Sequence, residues 1–368
     1  MNGIEVELVE YAPGAAHTGI GRYARELYKH LTPHLTISLA RTIDPPLAKQ
    51  FSFLKNFPLG ISGHKKGHIV HFAQIMGCAQ MLWHPIRPSV ATVHDLGVLV
   101  CPEDKYLFDR LGRAILDLQY AGLRRIDFYA VNSQSTRRAL VEILGIPEER
   151  IRLVQLGVDS EHFRPIPSAP TLVSERYGIK PSADMVTLLY VGSELPRKNV
   201  GLLLKAMAVL TERGCRLRLI KVGGAGGQIW RNRFIWDIKQ LGLTDDVIIV
   251  ENVPEADLPL FYNVADVCVT PTLLEGGFAW LAMEAMACNR PVIATEAALI
   301  PADAAGAVLV IPTRDLDALV AALTKCVNNP DERVAMGAAG RQIVATYNWG
   351  ATARAMMEVY SMAAGLQL

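Results

Sequence analysis

Two adjacent cations, Arg197 and Lys198, stand in the stretch YVGSELPRKNVGLLLKA (190–206), where an apolar run stops at Gly192, a short loop follows and an amphipathic helix begins. A guanidinium grips phosphate oxygens through a planar fork, and an ammonium acts as a compact point charge. The pair therefore suits a diphosphate that gains negative charge as it leaves. At an effective dielectric of 20, each such contact near 4 Å is worth roughly 4 kcal/mol before desolvation. A solvated basic turn would carry the same two residues. A second stretch, PTLLEGGFAWLAMEAMACNRPVIAT (271–295), runs from a strand end through Glu275, Gly276, Gly277 and Phe278 into a helix starting near Ala279, Trp280 and Leu281. The paired glycines free the backbone to approach an anion, and the helix start supplies unpaired N–H groups and a favourable dipole. Glu284, in the first turns of that helix, is either an ordinary helix-start acid or an acceptor for two vicinal ribose hydroxyls. Glu275 either holds sugar hydroxyls or caps a turn.

Two further signals are shorter. HTGIGRY (17–23) carries Gly19 and Gly21 after a strand, but Ala24 stands where a dinucleotide fingerprint would have its third glycine. The loop can approach a single phosphate, and a nicotinamide oxidoreductase is disfavoured. His94 ends SVATVHD (89–95), where it could bond a sugar hydroxyl, lend its carbonyl to developing positive charge, or serve structure alone. No HxxxH, CxxC or carboxylate triplet accompanies it, so no metal is expected.

These residues need strands to aim them. Apolar runs at 4–9, 68–72, 89–95 and 128–133, with helix-like segments such as Leu107–Leu123 between them, suggest a parallel sheet wrapped by helices. PIPSAP (165–170) places three prolines in six positions and reads as a linker. Beyond it the rhythm restarts with VTLLYVG (186–192), RLRLIKVGG (216–224), DVIIVENV (246–253), DVCVTP (266–271) and PVIATE (291–296). The expectation is α/β, with two Rossmann-like domains, 1–165 and 171–348, facing a central cleft. The Ala- and Met-rich tail, 349–368, reads as a helix that either caps the second domain or crosses back to the first. Ligands in such sheets bind beyond the carboxyl ends of the strands.

Composition narrows the partners. The 368 residues carry 37 Lys and Arg against 36 Asp and Glu, a formal charge of +1, so no strong field exists to hold nucleic acid. Half the residues are hydrophobic (51%) and only 20% are charged, which supports large cores and argues against extended disorder. No apolar run is long enough to span a bilayer, and the start, MNGIEVELVEY, does not read as a secretion signal. The six cysteines are scattered without CxxC spacing, which reads as reduced core thiols and a cytoplasmic protein.

In this order and spacing the segments resemble the retaining glycosyltransferases of family 4, which have the GT-B architecture. The resemblance rests on GIGRYARELYKHL (19–31), VHDL (93–96), AVNSQSTRRAL (130–140), ERIRLVQLGVDSEHFRP (149–165), VGSELPRKNVGLLLKA (191–206), KVGGAGG (221–227), LPLFYNVADVCVTPTLLEGGF (258–278) and MEAMACNRPVIAT (283–295). It implies a nucleotide-diphosphate sugar as donor, no cofactor and no required metal. Arg197 and Lys198 match the diphosphate-binding pair, Gly19 and Gly21 the loop that packs against phosphate, and His94 the histidine that meets the donor sugar. Glu284 matches the ribose-binding second acid of the paired-acid motif, Phe278, Ala279 and Trp280 its backbone amides, and Val253 with its neighbours the base contact.

The chain departs from that pattern at one place. The family separates its two acids by seven residues, whereas eight lie between Glu275 and Glu284, so Gly276 takes the first acid's register. A bulge at Gly276 and Gly277 would return Glu275 to the site, and glycine makes such a bulge sterically cheap. The expected reaction moves a hexose, most simply from a GDP- or UDP-sugar, to a glycan or lipid-linked acceptor. A nucleotide-sugar epimerase or hydrolase and a catalytically lost sugar-nucleotide-binding protein are the competing readings. Between 41 and 87 six basic residues face only Asp44, a local charge of +5, interleaved with Phe51, Phe53, Leu54 and Phe57. That is either a patch for peripheral contact with an anionic membrane or an ordinary solvated loop. Oligomeric state is not encoded in any of these signals.

Overall fold

The computed structural model describes residues 4–10, 19–44, 59–100, 110–274 and 278–365. Along the chain lie β1 (Glu5–Glu10), α1 (Gly19–Leu31), β2 (Thr36–Arg41), β3 (Ile69–Phe72), β4 (Ser89–Val93), α2 (Gly97–Val100), α3 (Arg110–Leu123), β5 (Phe128–Val131), α4 (Gln134–Glu142) and β6 (Ile151–Leu153). Then come α5 (Ala169–Tyr177), β7 (Val186–Val191), α6 (Val200–Glu212), β8 (Leu217–Val222), α7 (Gln228–Gln240), β9 (Val247–Val250), α8 (Leu258–Val264) and β10 (Val267–Thr270). The last elements are α9 (Trp280–Ala287), β11 (Val292–Thr295), β12 (Val308–Ile311), α10 (Leu316–Asn328), α11 (Pro330–Val344) and α12 (Trp349–Ala363).

The strands form two six-stranded sheets, ordered β2-β1-β3-β4-β5-β6 and β12-β11-β10-β7-β8-β9. Every pairing is parallel. Parallel strands are covered by helices on both faces, which is why the central ones read as unbroken apolar runs: β3, β4, β10 and β11 are buried at every residue. The strands the sequence pattern did not reveal, β2, β6 and β12, all lie at sheet edges, where alternate or neighbouring residues reach solvent. An edge strand buries less and carries a weaker signal.

The described chain divides into two compact units. One runs to Gly157 and resumes at Trp349, also taking Phe278; the other is Val158–Asn348 otherwise. The first core gathers Val70, Phe72, Val93, Leu123, Tyr129, Val131 and Leu140. Here α12 packs on α1, β4 and β5, burying Trp349, Ala353, Met356 and Tyr360, and the Thr352 hydroxyl donates to the Gln155 carbonyl at 2.9 Å. The second core gathers Leu188, Leu203, Leu219, Phe234, Val267 and Ile293. The proline-rich stretch expected as a linker is tied down within the second unit. Asn263 accepts from the Ile166 amide at 2.8 Å and donates to the Arg164 carbonyl at 2.8 Å, and α5 starts three residues after Ile166. None of the five cysteines among the described residues forms a disulfide.

Candidate functional site

In the second unit the chain leaves β7 toward β8 and β9, then returns to β10 and β11 on the other side. The loops after β7 and β10 therefore diverge at the topological switch point, where open parallel sheets bind ligands. Both contain residues that the sequence singles out. Gly192 follows β7 with φ 147°, and a Cβ there would lie 2.9 Å from the Tyr190 Oη, so the position needs glycine twice over. Its amide continues the ladder to the Val222 carbonyl at 2.9 Å.

Arg197 and Lys198 sit in a single 3-10 turn closed by Lys198 N–H to the Leu195 carbonyl at 2.9 Å. Asn199 then takes a left-handed conformation (φ 51°) and donates its side-chain amide to the Pro271 carbonyl at 3.1 Å. From the facing loop, the Leu273 amide donates to the Arg197 carbonyl at 2.7 Å, and Thr272 Oγ1 lies 3.0 Å from the same oxygen. Thr272 is held in turn by the Thr295 hydroxyl, 2.6 Å from its carbonyl. The two switch-point loops are thus laced together through the Arg197 main chain, while both cationic side chains remain partly exposed. The helix that follows, α6, is buried on most sides, with Leu202, Leu203, Leu204, Ala206, Met207, Ala208 and Leu210 all inside. It is less amphipathic than the sequence reading supposed, because it fills the core between β8 and α10.

Glu275, Gly276 and Gly277 lie outside the described residues. Phe278 and Ala279 are buried, Trp280 is partly exposed and opens α9, and Ala279, the N-cap residue, has no side chain that can cap the helix. Glu284 is 2% exposed and accepts a 2.7 Å hydrogen bond from the Tyr262 hydroxyl on α8. Burial, with this carboxylate close by, pushes the Tyr262 phenol well above its ordinary range, so it stays protonated and donates. Val253 is half-buried in the loop after β9.

The sequence reading did not single out the charges that organise the β8 and β9 loops. Lys221, on β8, is fully buried; its Nζ donates to the Gly223 carbonyl and to the Gly224 carbonyl at 3.1 Å, and it forms an ion pair with Glu194, 2.9 Å from Oε1. Arg231 on α7 clasps the same carboxylate, with Nη2 2.6 Å from Oε1 and Nε 2.9 Å from Oε2, and reaches on to Glu251 beyond β9. Desolvation lowers the Lys221 pKa, and Glu194 opposes that shift. One local signal was available: a lysine inside the apolar run LRLIKV must find a partner when its strand is buried.

In the first unit, Gly19 and Gly21 form the first turn of α1 instead of the loop that the sequence reading placed there. His94 follows β4, with its ring edge-on to Tyr23 of α1 at 4.8 Å between centroids. Burial lowers its pKa, which keeps the imidazole neutral. Nε2–H then donates to the Ala73 carbonyl at 3.0 Å, and Nδ1 accepts from the Asn132 amide at 3.3 Å. Both nitrogens are thus engaged within the unit, and the His94 carbonyl faces the Thr136 hydroxyl at 3.3 Å. Of the basic stretch, Arg41, Lys65, Lys66 and Arg87 are exposed, although Arg87 pairs with Asp127 at 2.5 Å. Lys49, Phe51, Phe53, Leu54, Lys55 and Phe57 lie outside the described residues. Among the described residues no group of three or more His, Cys, Asp or Glu is arranged to hold a metal ion, and no helix is long and apolar enough to cross a membrane.

Comparison with known proteins adds to this geometry. The family described as "Glycosyl transferases group 1" matches residues 178–343, and "Glycosyltransferase Family 4" matches residues 2–162. A D-inositol 3-phosphate glycosyltransferase of Kineococcus radiotolerans is 32% identical over 268 residues, covering 68% of this chain and 60% of its own. An O-antigen chain mannosyltransferase B of Escherichia coli is 27% identical over 367 residues, covering 90% of this chain and 93% of its own. Among solved structures, sucrose-phosphate synthase from Thermosynechococcus elongatus superposes with a TM-score of 0.78 over 98% of both chains at 22% identity, a likeness of fold. The two six-stranded parallel sheets with their helices form the GT-B architecture.

Proposed function

The chain belongs to the glycosyl transferases group 1 family, and from that premise we propose that it is a retaining hexosyltransferase drawing on a nucleotide-diphosphate sugar. The donor is a GDP- or UDP-hexose and the acceptor a glycan or lipid-linked sugar. The observation that carries this reading is the lacing of the Arg197–Lys198 turn to the loop after β10, which holds two cations at the switch point of the second sheet.

Breaking the anomeric bond leaves an oxocarbenium-like sugar and a nucleoside diphosphate with added negative charge. Catalysis then consists of presenting preorganised positive groups to the leaving oxygen. Arg197 and Lys198 supply them, aided by the start of α9 and the amides of Phe278, Ala279 and Trp280. Glu284, oriented by the Tyr262 hydroxyl, takes the ribose hydroxyls, and Val253 with its neighbours meets the base. Gly19 and Gly21 present the amides of the first turn of α1 to phosphate. His94 meets the sugar through its carbonyl, which accepts from the Thr136 hydroxyl on one lone pair and keeps the other, whereas both ring nitrogens are engaged. Attack comes from the face the leaving group departs, with a phosphate oxygen accepting the acceptor's proton and Glu275 contacting the hexose. No metal takes part. Exposed Leu39, Ile43 and Leu59 near Arg41, Lys65 and Lys66 support peripheral approach to an anionic membrane that carries the acceptor.

A thermal-shift panel of UDP, GDP, ADP and dTDP tests the donor reading. A ligand at 100 times its Kd stabilises by about 2.7 kcal/mol. Arg197→Ala and Lys198→Ala should lose most of that shift while the unliganded Tm stays near wild type, and turnover should fall on the order of 10²–10³. Two variants that respond like wild type would overturn the assignment, and loss of transfer on chelation would overturn the metal-free mechanism.

A further inference from the structure

The loop GGAGG (223–227) after β8 lies beside the Arg197–Lys198 loop: a Cβ on Gly223 would come 3.2 Å from the Gly192 carbonyl, and one on Gly226 would come 2.9 Å from Leu195 Cγ. Three successive carbonyls of this loop are engaged within the protein. Those of Gly223 and Gly224 accept from the buried Lys221 ammonium, and that of Ala225 accepts from the Glu194 amide at 3.0 Å. In a planar trans peptide the N–H points opposite to the preceding C=O. The amides of Gly224 and Ala225 are therefore directed away from Lys221, and that of Gly226 away from the Glu194 amide; Gly224 and Gly226 reach solvent. Among the described residues these three amides donate to no protein acceptor. Three successive outward amides beside two cations form a concavity suited to an oxygen-rich anion.

Lys221 maintains that arrangement from below. An ammonium has three donors and no acceptor capacity, so it recruits carbonyls and cannot satisfy an amide. Here it donates to two loop carbonyls and pairs with the Glu194 carboxylate. Glu194 is shared with Arg231, so the carboxylate that orients the ammonium also joins the loop to α7.

We infer that Lys221 is a positioning residue that turns the Gly224–Gly226 amides outward to receive a phosphate oxygen of the nucleotide-diphosphate donor. The inference rests on the donor reading proposed above and extends it from Arg197 and Lys198 to a second loop. Neither the ammonium nor Glu194 touches the ligand; both act by setting the direction of main-chain dipoles.

The test uses the full chain, wild type and Lys221→Met. In the variant Glu194 keeps Arg231 as partner, so no buried carboxylate is left unpaired. Backbone amide spectra of the wild type are followed while inorganic pyrophosphate, UDP and GDP are added in turn, and the Kd of each is measured for both proteins alongside uridine and guanosine. Downfield movement of the Gly224, Ala225 and Gly226 amides with pyrophosphate, and a Kd for the diphosphates at least ten-fold weaker in Lys221→Met with the nucleosides unchanged, support the inference. Equal weakening for nucleosides and diphosphates would mean a merely structural role and would overturn it. UDP or GDP binding without movement of these amides would overturn it while leaving the donor reading intact. Movement with pyrophosphate but no binding of UDP or GDP would remove the donor reading and keep the anion site. If Lys221→Met does not fold, the wild-type spectra alone decide: amides that stay in place with all three probes sink the proposal.

Discussion

Acidification should destabilise the first unit through His71, by an amount that follows from its surroundings. The ring lies on β3, fully buried, with Nδ1 2.8 Å from the Tyr360 hydroxyl on α12 and Nε2 2.8 Å from Thr92 Oγ1. The Tyr23 hydroxyl of α1 lies 2.7 Å from the same Thr92 oxygen. Burial first, and then the nearby His94, lowers the imidazole from 6.5 to about 3. The folded chain therefore stays unprotonated at His71 where the unfolded chain binds a proton. Stability is full above about 6.5 and falls as the pH drops toward 3, with a limiting slope of about 1.4 kcal/mol per pH unit. Between pH 7 and pH 5 the accumulated loss from His71 is about 2 kcal/mol. His94, also lowered by desolvation, adds a loss of the same sign. The assay is urea unfolding at pH 7, 6 and 5 for wild type and His71→Gln. The variant starts less stable, because Thr92 and Tyr360 lose a partner, but its decline over that interval should be smaller than wild type's by about 2 kcal/mol. Equal declines, or an imidazole signal in the folded protein that titrates near 6.5, would refute the reasoning.

Glu194→Gln should cost about 3–5 kcal/mol, because it leaves the buried Lys221 and the nearly buried Arg231 without their shared anion; calorimetry of the Tm checks this, and pairing the change with Lys221→Met should recover part of the loss. Gly122→Ala should destabilise by about 1–3 kcal/mol or more, since its Cβ would fall 2.0 Å from the Cys78 carbonyl oxygen where α3 crosses residues 78–82; urea midpoints measure it. Tyr262→Phe removes the hydroxyl that donates to Glu284, and on the proposed role of that carboxylate it should weaken nucleoside diphosphate binding by about ten-fold, the worth of one charged hydrogen bond, as read by titration calorimetry.

Much of the architecture is legible in the sequence, because its causes are local. Central parallel strands are covered on both faces and read as largely apolar runs, so 69–72, 89–93, 186–191, 217–222 and 267–270 announce themselves. Prolines, strand-end glycines and the adjacent pair at 197 and 198 likewise mark loops at sheet edges. Three of the four edge strands, β2, β6 and β12, escaped because half-exposed segments leave weaker patterns, whereas the edge strand β9 showed through its unbroken run VIIV. At the site, tertiary structure decided what local pattern could not. His94 was visible as a strand-end histidine, but only the positions of Ala73 and Asn132 show that both ring nitrogens are already engaged. Glu284 was visible as a helix-start acid, but only the packing of α8 under α9 supplies Tyr262 as its donor. Glu194 was passed over entirely. Its partners Lys221 and Arg231 are 27 and 37 residues away, and a charge acquires a partner at such separations only when neighbouring strands and their loops come into register. Residue type sets which groups can bind an anion, whereas direction, burial and pairing depend on groups distant in sequence and exist only once the sheets have formed.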